Sequence, residues 1–504
     1  MTIMPNTPPI LLTCAEMAAA DKYTIEHGTA GITLMERAGR GVAEIAENIW
    51  RHSGKAGSVL ILCGPGNNGG DGYVAARRLA MQSIDVRVAQ VGAADKLRGD
   101  AATARDKWTE DVEQIQGLSL AGVSLIIDAL YGAGLNKPIE GAVASLIKDI
   151  NASSVAVVSI DVPSGLSGDN GTADGMVIEA DHTVTFERKK PGHLLYPGRR
   201  LTGHLHLIDI GINPVCHKLI HAKIFENSPS LWGHALPTDR TEQHKYDRGH
   251  VIVLGSRAPM LGACRLTSLA ALRTGSGLVT LMAPAETYAI QAAALDDILV
   301  VNMAKSDSFL SRLKDDRITA VAVGPGAGLG PETRNVVLKT LETERATVLD
   351  ADALTSFVEQ PDILFKAITG PTVLTPHTGE FHKLFPDLEY GSDKLAAART
   401  AAKRSGAVII LKGPDTVIAS PCGLAAINSN ASSHLSVGGT GDVLTGMVAS
   451  LLGQGMSAFD SACAAVWLHA DAAQSYSLGM IASDLLIKIP SALSKVTKMG
   501  LKTL

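Results

Sequence analysis

The sequence predicts an α/β fold made of two tandem α/β domains, and three observations support this. Hydrophobic residues make up 46% of the 504 residues and aromatic residues only 4%, with 50 glycines. This composition is typical of α/β proteins with buried parallel strands. Strand-like runs alternate with helical patterns, which indicates βαβ units. A chain of this length is also too long for a single hydrophobic core.

The first half of the chain supplies the elements of one such domain. It opens with two stretches of helical spacing, AEMAAADKYTIEHG (15–28) and about 34–53. Six strand-like runs follow: SVLILC (58–63), DVRVAQV (85–91), VSLIIDAL (123–130), SVAVVSID (154–161), HTVTF (182–186) and HLHLIDI (204–210). Helical patterns lie between the early runs, at about 71–83, 96–111 and 140–151. The alternation predicts a parallel sheet with crossover helices.

A change of pattern near 211–248 marks the predicted domain boundary. This stretch is irregular and rich in turn formers, as linkers between domains are. We therefore expect domains at 1–228 and 229–504. A second alternating series begins with HVIVLGS (250–256) and becomes largely helical from Asp442 onward; its later strand-like runs are SGLVTLMA, LVVNMA, ITAVAVGPG, ATVLDAD, TVLTPH and AVIILKGP.

Charge and cysteine content exclude several classes of function. A net charge of −5 and a pI near 6.3 leave no broad basic surface, so nucleic acid is not an expected partner. The six cysteines show neither CxxC nor metal-binding spacing, which favours free thiols in a reducing cytoplasm. The first residues do not read as a signal peptide, and no apolar run reaches the roughly 18 residues of a membrane span. We expect a cytoplasmic protein that acts on small molecules.

The glycine-rich segment GPGNNGGDG (64–72) is the first candidate ligand site. It follows a strand-like run and precedes a helical one, and a helix N-terminus attracts anions. Glycines permit positive φ angles and let a phosphate approach the backbone. Capping of the helix by Asn68 or Asp71 is the alternative explanation. A cap needs one such residue and not five glycines, and the segment is neither GxGxxG nor a Walker A loop.

Polar residues at two further strand ends belong to the same predicted site. Asp128 closes VSLIID, while Asp161 closes VAVVSID and is followed by Ser164. Ligands of parallel sheets bind outside the carboxyl ends of the strands, so these residues and Asn68 should face one crevice. Each aspartate alone could be a turn or cap residue. Together, the oxygen ligands suit a hard cation rather than zinc.

The segments GPGNNGGDG, DALYGAGLNKP (128–138) and DVPSG (161–165) resemble the NAD(P)HX epimerase domain over about residues 10–225. That family interconverts the R and S epimers of NAD(P)HX, which is NAD(P)H hydrated at C6 of the nicotinamide ring. The resemblance implies a Rossmann-like three-layer domain and a potassium ion held by Asn68, Asp128 and Ser164. Asp161 becomes the candidate acid or base near C6. The implied substrate contacts are Asn67, Asn68, Gly69, Gly70, Asp71, Gly132, Ala133, Gly134, Leu135, Asn136, Lys137, Pro138 and Asp161.

A second glycine-rich segment, Gly438 to Asp442, precedes the apolar helix VLTGMVASLLG. Its backbone N–H groups at a helix start suit a phosphoryl group in transfer. Asp442 could simply be an acidic residue that favours the helix dipole. A carboxylate beside a phosphate is repelled, however, unless it has a task. We expect Asp442 to act as a general base that takes a proton from a hydroxyl attacking the phosphate.

The segment GGTGD resembles the signature of ribokinase-like enzymes. With VGPGAG (323–328), LDADAL (349–354), TPHTGE (375–380) and LKGPDT (411–416), it looks like the ADP- or ATP-dependent NAD(P)HX dehydratase over about 230–500. One departure is LGSRAPM (254–260), where family members commonly carry a second glycine. The resemblance implies Mg²⁺ and two sets of contacts. Substrate contacts are Ala263, Gly326, His377 and Asp442; ADP contacts are Lys412, Gly413, Pro414, Asp415, Thr416 and Gly441.

The two resemblances together predict a repair enzyme for hydrated nicotinamide dinucleotides. One domain would epimerise NAD(P)HX, and the other would dehydrate the S epimer at the expense of ADP, or ATP, through a phosphorylated C6 hydroxyl. A bacterial member of the family would favour ADP, and we expect a homo-oligomer. Two other classes of function stay open on the residues alone. These are a small-molecule kinase with a nucleotide-sensing module, and a binding protein without turnover.

Overall fold

The protein is described by a computed structural model that covers residues 9–52, 54, 57–93, 96–135, 137–237, 242, 244–303, 306–389 and 391–499. Between Ile224 and Phe225 the chain divides into two compact units, which we call the N-terminal and C-terminal units. Both are α/β units with parallel sheets, which confirms the predicted fold class. Within the described residues, no helix is both long enough and apolar enough to span a bilayer.

The helices of the N-terminal unit bury one apolar face each. In the second helix, Leu34, Met35, Ala38, Val42 and Ala46 are spaced three or four residues apart and are all buried. The helices are α1 (Cys14–Glu26), α2 (Gly31–His52), α3 (Asn67–Ala80), α4 (Gly99–Asp106), α5 (Gly141–Ala152), α6 (Gly198–Leu201) and α7 (Val215–Ile220). The strands are β1 (Ile10–Leu11), β2 (Ser58–Cys63), β3 (Val86–Gln90), β4 (Val112–Gln114), β5 (Val123–Ala129), β6 (Ala156–Ile160), β7 (His182–Phe186) and β8 (His204–Ile208).

The sheet of the N-terminal unit is parallel and buried on both faces. Its strand order is β4-β3-β2-β5-β6-β7-β8. Alternate residues of β2 enter two different apolar clusters, with Val59 and Ile61 in one and Leu60 and Leu62 in the other. This confirms the three-layer arrangement. The strand order reverses between β2 and β5, and ligands of parallel sheets bind at such a reversal.

The C-terminal unit is also built on a parallel sheet with helices, and antiparallel strands extend that sheet at one side. Its helices are α8 (Pro229–Trp232), α9 (Leu261–Arg273), α10 (Tyr288–Ala292), α11 (Ser306–Arg312), α12 (Pro331–Leu341), α13 (Asp352–Thr355), α14 (Pro361–Ala367), α15 (Thr378–Leu384), α16 (Lys394–Ser405), α17 (Thr440–Gly453), α18 (Ala458–Ala473) and α19 (Ala482–Thr497). Its strands are β9 (Ile224–Asn227), β10 (His250–Leu254), β11 (Leu278–Pro284), β12 (Leu299–Met303), β13 (Ala320–Val323), β14 (Ala346–Leu349), β15 (Thr372–Leu374), β16 (Val408–Leu411), β17 (Val417–Ala419) and β18 (Ala425–Asn428).

The order of these strands is β9-β18-β17-β16-β15-β14-β13-β10-β11-β12. From β16 to β12 the neighbours are parallel, whereas β16, β17 and β18 pair antiparallel. The reversal lies between β10 and β13. The helices α9 and α17 pack against each other and belong to one large apolar cluster with β10 and β11. The loops after β10 and β13 therefore border the crevice expected of this unit.

The first glycine segment is mostly helix, not loop as its composition predicts. Helix α3 already begins at Asn67, and none of the glycines from Gly64 to Gly72 has a positive φ. Gly64, Gly69, Gly70 and Gly72 are needed instead for close packing, whereas Gly66 has open space around it. A Cβ on Gly64 would lie 1.6 Å from the Leu130 carbonyl oxygen, and one on Gly69 would lie 2.0 Å from the Gly64 carbonyl oxygen. The expectation of positive φ was wrong because the constraint is helix-to-sheet distance.

The second glycine segment does use the left-handed conformation. Gly439 has φ +91° and immediately precedes α17, which begins at Thr440. A Cβ on Gly439 would also lie 2.8 Å from Leu266 Cδ1. Gly441 and Asp442 consequently lie in the first turn of a buried helix, as predicted.

Short elements are the main features that the sequence patterns missed. The stretch 96–111 holds only the eight-residue α4, and β4 follows it as a three-residue edge strand. The predicted irregular region contains α7, β9 and α8. The strands β17 and β18 have three and four residues, too few for a period to be read.

Gly64→Ala should destabilise the N-terminal unit by about 1–3 kcal/mol, because the new methyl group meets backbone that cannot give way. Gly66→Ala is the matched control, since a Cβ there has no atom within 4 Å and the φ of −110° suits alanine. Urea unfolding of the full chain measures both. Equal stability of the two variants would contradict the packing argument.

Candidate active sites

A cavity of about 580 Å³ opens in the N-terminal unit at the reversal of strand order. It lies beside the start of α3 and the loop that follows β5. Besides Cys14 and Asp21 of α1 and Lys190 after β7, the predicted site residues that line it are Asn67, Asn68, Asp71, Gly132, Ala133, Gly134, Leu135 and Asp161. The structure thus brings most of the predicted epimerase contacts to one wall of one cavity.

Four of the other predicted contacts lie away from the cavity lining. Gly69 and Gly70 are buried in α3, where a Cβ on Gly70 would lie 2.6 Å from Met35 Cε. Lys137 and Pro138 follow the lining loop along the chain without being part of the lining. Asn136 lies outside the described residues. Gly69 and Gly70 therefore allow α3 to pack closely against its neighbours and do not themselves line the cavity.

Asp161 is held by an unusual set of contacts at the end of β6. Its Oδ1 accepts a hydrogen bond from Thr185 Oγ1 at 3.0 Å and is paired with the ammonium of Lys190. Lys190 Nζ also donates to Thr185 Oγ1 at 3.0 Å. No described residue donates a hydrogen bond to the second oxygen, Oδ2. One oxygen of this carboxylate is therefore anchored while the other is available to a ligand.

The backbone of Asp161 is equally constrained, with φ +66°. His193 Nδ1 accepts from the Lys190 N–H at 3.0 Å, so Nε2 carries the hydrogen and donates to the Asp161 carbonyl at 2.9 Å. Burial, together with the nearby Lys190 charge, lowers the pKa of His193 to about 3 and keeps the ring neutral. A left-handed aspartate is a strained conformation that persists only where its surroundings impose it.

The carboxyl groups of this cavity have opposite pKa shifts. Burial raises the pKa of Asp161, but the charge and hydrogen bonds of Lys190 and Thr185 outweigh it and hold the pKa below the usual value. Burial and the carboxylates of Asp161 and Asp21 raise the pKa of Asp71 well above its usual value. Burial also raises the pKa of Asp21 to about 6. The cavity therefore combines an ionised carboxylate with carboxyls that retain protons more readily.

The residues predicted to hold potassium are joined by short contacts beneath this loop. Asp128 is buried; it accepts from Ser164 Oγ at 2.5 Å, Ser164 N at 2.9 Å and Ser159 Oγ at 2.8 Å. The Tyr131 N–H donates to Ser164 Oγ at 2.9 Å. Burial raises the pKa of Asp128 despite these bonds. The carboxylate and the hydroxyl are thus preassembled at the ends of β5 and β6.

The third member of that set, Asn68, approaches the same loop. A Cβ on Gly132 would lie 3.1 Å from Asn68 Oδ1, while the buried Asn68 Nδ2 has no hydrogen-bond partner. In the described part of the chain no three His, Cys, Asp or Glu side chains could hold a metal together. An amide, one carboxylate and a hydroxyl fit a hard monovalent cation better than a transition metal.

In the C-terminal unit, the predicted nucleotide residues Lys412 and Gly441 meet around Asp350. Lys412 Nζ donates to Asp350 Oδ1 at 3.0 Å, and Thr445 Oγ1 donates to Asp350 Oδ2 at 2.8 Å. A Cβ on Gly441 would lie 3.5 Å from Lys412 Nζ. Burial lowers the pKa of Lys412, but Asp350, Glu380 and Asp442 raise it above its usual value. The Lys412 side chain is 21% exposed, and its ammonium is held by the ion pair with Asp350.

Asp442 lies beside this cluster in the first turn of α17. Burial, then the charge of Asp350, raises its pKa to about 6, although Lys412 acts in the opposite direction. The Asp442 carbonyl accepts from Thr267 Oγ1 of α9 at 3.1 Å, whereas no described residue donates to its carboxylate. A free carboxylate with a pKa near neutrality is suited to general-base work.

The predicted substrate contacts of this unit lie on loops joined by hydrogen bonds. Gly326 has φ +64°, and its carbonyl accepts from the Arg257 N–H at 3.1 Å. Ser256 Oγ donates to Pro325 O at 2.9 Å and accepts from Cys264 N at 3.2 Å, next to Ala263. These bonds bring the loops after β10 and β13 to the start of α9.

His377 has a structural task in addition to its predicted one. Its Nδ1 accepts from Gly379 N at 3.0 Å and Glu380 N at 3.2 Å, so His377 caps α15. Its backbone N–H donates to Glu380 Oε2 at 2.9 Å. The Lys412 N–H donates to Pro376 O at 3.0 Å, which ties this cap to β16. The remaining ring nitrogen, Nε2, lies 3.6 Å from Glu380 Oε1 on a side chain that is 60% exposed.

The predicted nucleotide turn, 412–416 with Pro414 at its centre, is closed from within. Thr416 Oγ1 accepts from Gly413 N at 3.2 Å and donates to Gly413 O at 2.8 Å. Asp415 is buried and pairs with Lys394 Nζ at 2.5 Å. The Asp415 and Thr416 side chains therefore shape the turn, and its backbone is the part that remains to meet a nucleotide.

Sequence reasoning missed Lys190, Thr185, His193 and Asp21 in the first site and gave Asp350 no role in the second. Lys190 and Asp350 each follow a strand, so the strand-end rule applied to Asp128 would have found them. Thr185 is inside β7 and Asp21 is in the middle of α1. Both contact residues of the site that are distant in the sequence, so no local sequence pattern indicates their role.

Comparisons with known proteins show the family of the chain. The NAD(P)H-hydrate dehydratase family profile matches residues 218–493, and the YjeF-related protein N-terminus profile matches residues 31–192. A bifunctional NAD(P)H-hydrate repair enzyme of Salinibacter ruber is 34% identical over 520 residues, covering 96% of each chain. The corresponding Escherichia coli enzyme is 34% identical over 468 residues, covering 90% of this chain and 88% of its own.

A crystal structure of the ADP/ATP-dependent NAD(P)H-hydrate dehydratase from Bacillus subtilis, co-crystallised with ATP/Mg²⁺, is 27% identical. It covers 52% of this chain and 94% of its own, with a TM-score of 0.46. The family of this chain is shown by the relatives that match it over 90% or more of its length, because they match both halves in the same order. This chain belongs to the family of bifunctional NAD(P)H-hydrate repair enzymes.

Proposed function

We propose that the N-terminal unit epimerises R- and S-NAD(P)HX, and that the C-terminal unit dehydrates the S epimer at the expense of ADP or ATP. One observation carries the proposal. In each unit a carboxylate with an oxygen to which no described residue donates lies near a lysine ammonium, as Asp161 does near Lys190 and Asp442 near Lys412. The family of the chain supports the same division of work.

For the epimerase, Asp161 is our candidate base. Its Oδ2 takes the proton of the C6 hydroxyl, the C6–O bond becomes a carbonyl, and the C6–N1 bond breaks with its electron pair passing to N1. Rotation about C5–C6 presents the opposite face of the carbonyl. N1 then attacks that face, and Asp161 returns the proton to oxygen. The cycle is redox-neutral and needs no further reactant.

For the dehydratase, phosphorylation solves a leaving-group problem. Hydroxide is difficult to expel because water has a pKa of about 15.7, whereas a phosphate monoester has a second pKa of about 6 and leaves readily. Asp442 takes the proton of the C6 hydroxyl, whose oxygen attacks the terminal phosphorus of the nucleotide, and AMP or ADP departs. The N1 lone pair then expels phosphate, and loss of a C5 proton restores NAD(P)H.

The environment of Asp442 supports this task. The backbone N–H groups at the start of α17 and the Lys412 ammonium are the positive groups of the site, and they suit the charge that develops on a transferred phosphoryl group. Mg²⁺ binds mainly through nucleotide phosphates and few protein carboxylates, so the site needs no dedicated cage for it. When bound, it would neutralise phosphate charge.

Potassium, assembly and compartment complete the proposal. Asn68, Asp128 and Ser164 would hold K⁺ in the N-terminal unit, where it would add positive charge beneath the loop that receives the dinucleotide. All six cysteines are free thiols, which supports a reducing cytoplasm. A homo-oligomer is also proposed, as expected from the apolar composition.

Wild-type protein should restore full absorbance at 340 nm from mixed R- and S-NADHX with ADP or ATP, Mg²⁺ and K⁺. Asp442→Ala should restore none, because the attacking hydroxyl keeps its proton. Asp161→Ala should consume the S epimer and then slow to the spontaneous epimerisation rate. A wild type that accumulates a stable phosphorylated product without absorbance would instead favour a small-molecule kinase.

Asp442→Asn should stabilise the C-terminal unit at pH 7 by on the order of 1 kcal/mol. The folded pKa of about 6 exceeds the usual 3.8, so the folded protein binds more protons between these values and loses stability as pH rises through them. The gain should vanish near pH 4. Calorimetry of the full chain from pH 4 to 8 measures it, and a loss of stability at pH 7 would refute this reading of Asp442.

Asn68→Ala should raise the K⁺ concentration that half-activates epimerisation by several-fold, because one oxygen ligand is lost. Dehydration of pure S-NADHX by the same variant should keep its wild-type rate. The epimerisation rate is followed from R-NADHX over a K⁺ series with choline as the balancing cation. Identical K⁺ dependence in the two proteins would remove Asn68 from the site.

A further inference from the structure

We propose that Lys190 is a positioning residue for epimerisation, which keeps Asp161 as a carboxylate and directs its free oxygen into the cavity. This inference rests on the epimerase function proposed above and adds a residue that the predicted site did not contain. Lys190 is not a surface lysine that happens to reach an acid. Its side chain is only 2% exposed, against 16% for Asp161.

The contacts of Lys190 form a closed triangle with two neighbours. Its ammonium donates to Asp161 Oδ1 and to Thr185 Oγ1, and Thr185 Oγ1 donates to the same Oδ1. Both donors thus occupy one oxygen of the carboxylate, which fixes the rotation of the group. The other oxygen, Oδ2, is left for the cavity that Asp161 lines.

The same segment fixes the backbone on which this carboxylate stands. Lys190 donates its N–H to His193, and His193 donates to the Asp161 carbonyl, whose residue has φ +66°. One short stretch after β7 therefore constrains Asp161 at both its side chain and its backbone. A rigid carboxylate loses little freedom when substrate binds, which is what a positioned base requires.

The positive charge of Lys190 also matters, because several aspartates line the cavity. The groups that face Asp161 and Lys190 are Cys14 and Asp21 of α1, Asp71 of α3, and Glu187, Lys189 and His193 beside Lys190 itself. Burial disfavours the charged form of Asp161, and Lys190 supplies the largest opposing effect. Without the ammonium of Lys190, burial would raise the pKa of Asp161 and favour its protonated form, which cannot act as a base.

The test is the pH profile of epimerisation for the wild type, Lys190→Met and Lys190→Arg between pH 5 and 9. Conversion of R-NADHX is measured with full-length protein; dehydration of pure S-NADHX serves as an activity control for the C-terminal unit, and urea unfolding reports whether the N-terminal unit of each variant is folded. In Lys190→Met we expect the acid limb to move up by at least one pH unit. The loss should exceed tenfold at pH 6 and shrink toward pH 9, and Lys190→Arg should restore most of the wild-type profile.

A uniform drop at every pH, or an unchanged profile, would overturn the inference, because a merely structural lysine does not move the acid limb. A wild type that does not convert R-NADHX would overturn the epimerase function itself, which keeps the two failures distinct. If Lys190→Met does not fold, Thr185→Val serves in its place. It removes one donor to Oδ1 while keeping the cation, so we expect a smaller shift in the same direction, and no shift would again count against the proposal.

Discussion

The N-terminal site depends on how closely helix α3 approaches the carboxyl edge of the parallel sheet. Gly64, Gly69 and Gly72 face backbone or side-chain atoms at distances that no Cβ could occupy. Because α3 can begin directly against the ends of β2 and β5, its first two turns present Asn68 and Asp71 to the cavity. The glycines allow this close packing, and the packing in turn places the polar residues of α3 at the cavity.

The two units share an electrostatic arrangement although their sheets differ. In each, a lysine that follows a strand pairs with an aspartate at the end of another strand, as the buried Lys190 does with Asp161 and the partly exposed Lys412 with Asp350. A neighbouring carboxyl then lacks a cation of its own, and burial raises the pKa of Asp71 and of Asp442. Buried carboxylates and lysines of this kind cost stability and are kept where their protonation state has a use.

The arrangement explains why one chain combines these two activities. A base that must reach one face of C6 while a phosphoryl donor lies on the same side accepts a single epimer. Hydration of the nicotinamide ring produces both, so the other epimer persists unless it is equilibrated. In the mechanism that we propose, a cavity with an anchored carboxylate suits the reversible proton transfer, and a helix start beside a lysine ammonium suits the phosphoryl transfer.

The sequence by itself determined the two α/β domains, both glycine segments, the strand-end carboxylates Asp128 and Asp161, and Asp442 at the start of a helix. Periodicity, composition and motif spacing are local properties, and these features are local. Only the tertiary structure decided that GPGNNGGDG is mainly a packing element, that Asp415 is buried in an ion pair with Lys394, and that Lys190 anchors Asp161. Those outcomes depend on distances and charges between residues far apart in the chain, and no local pattern of residues encodes them.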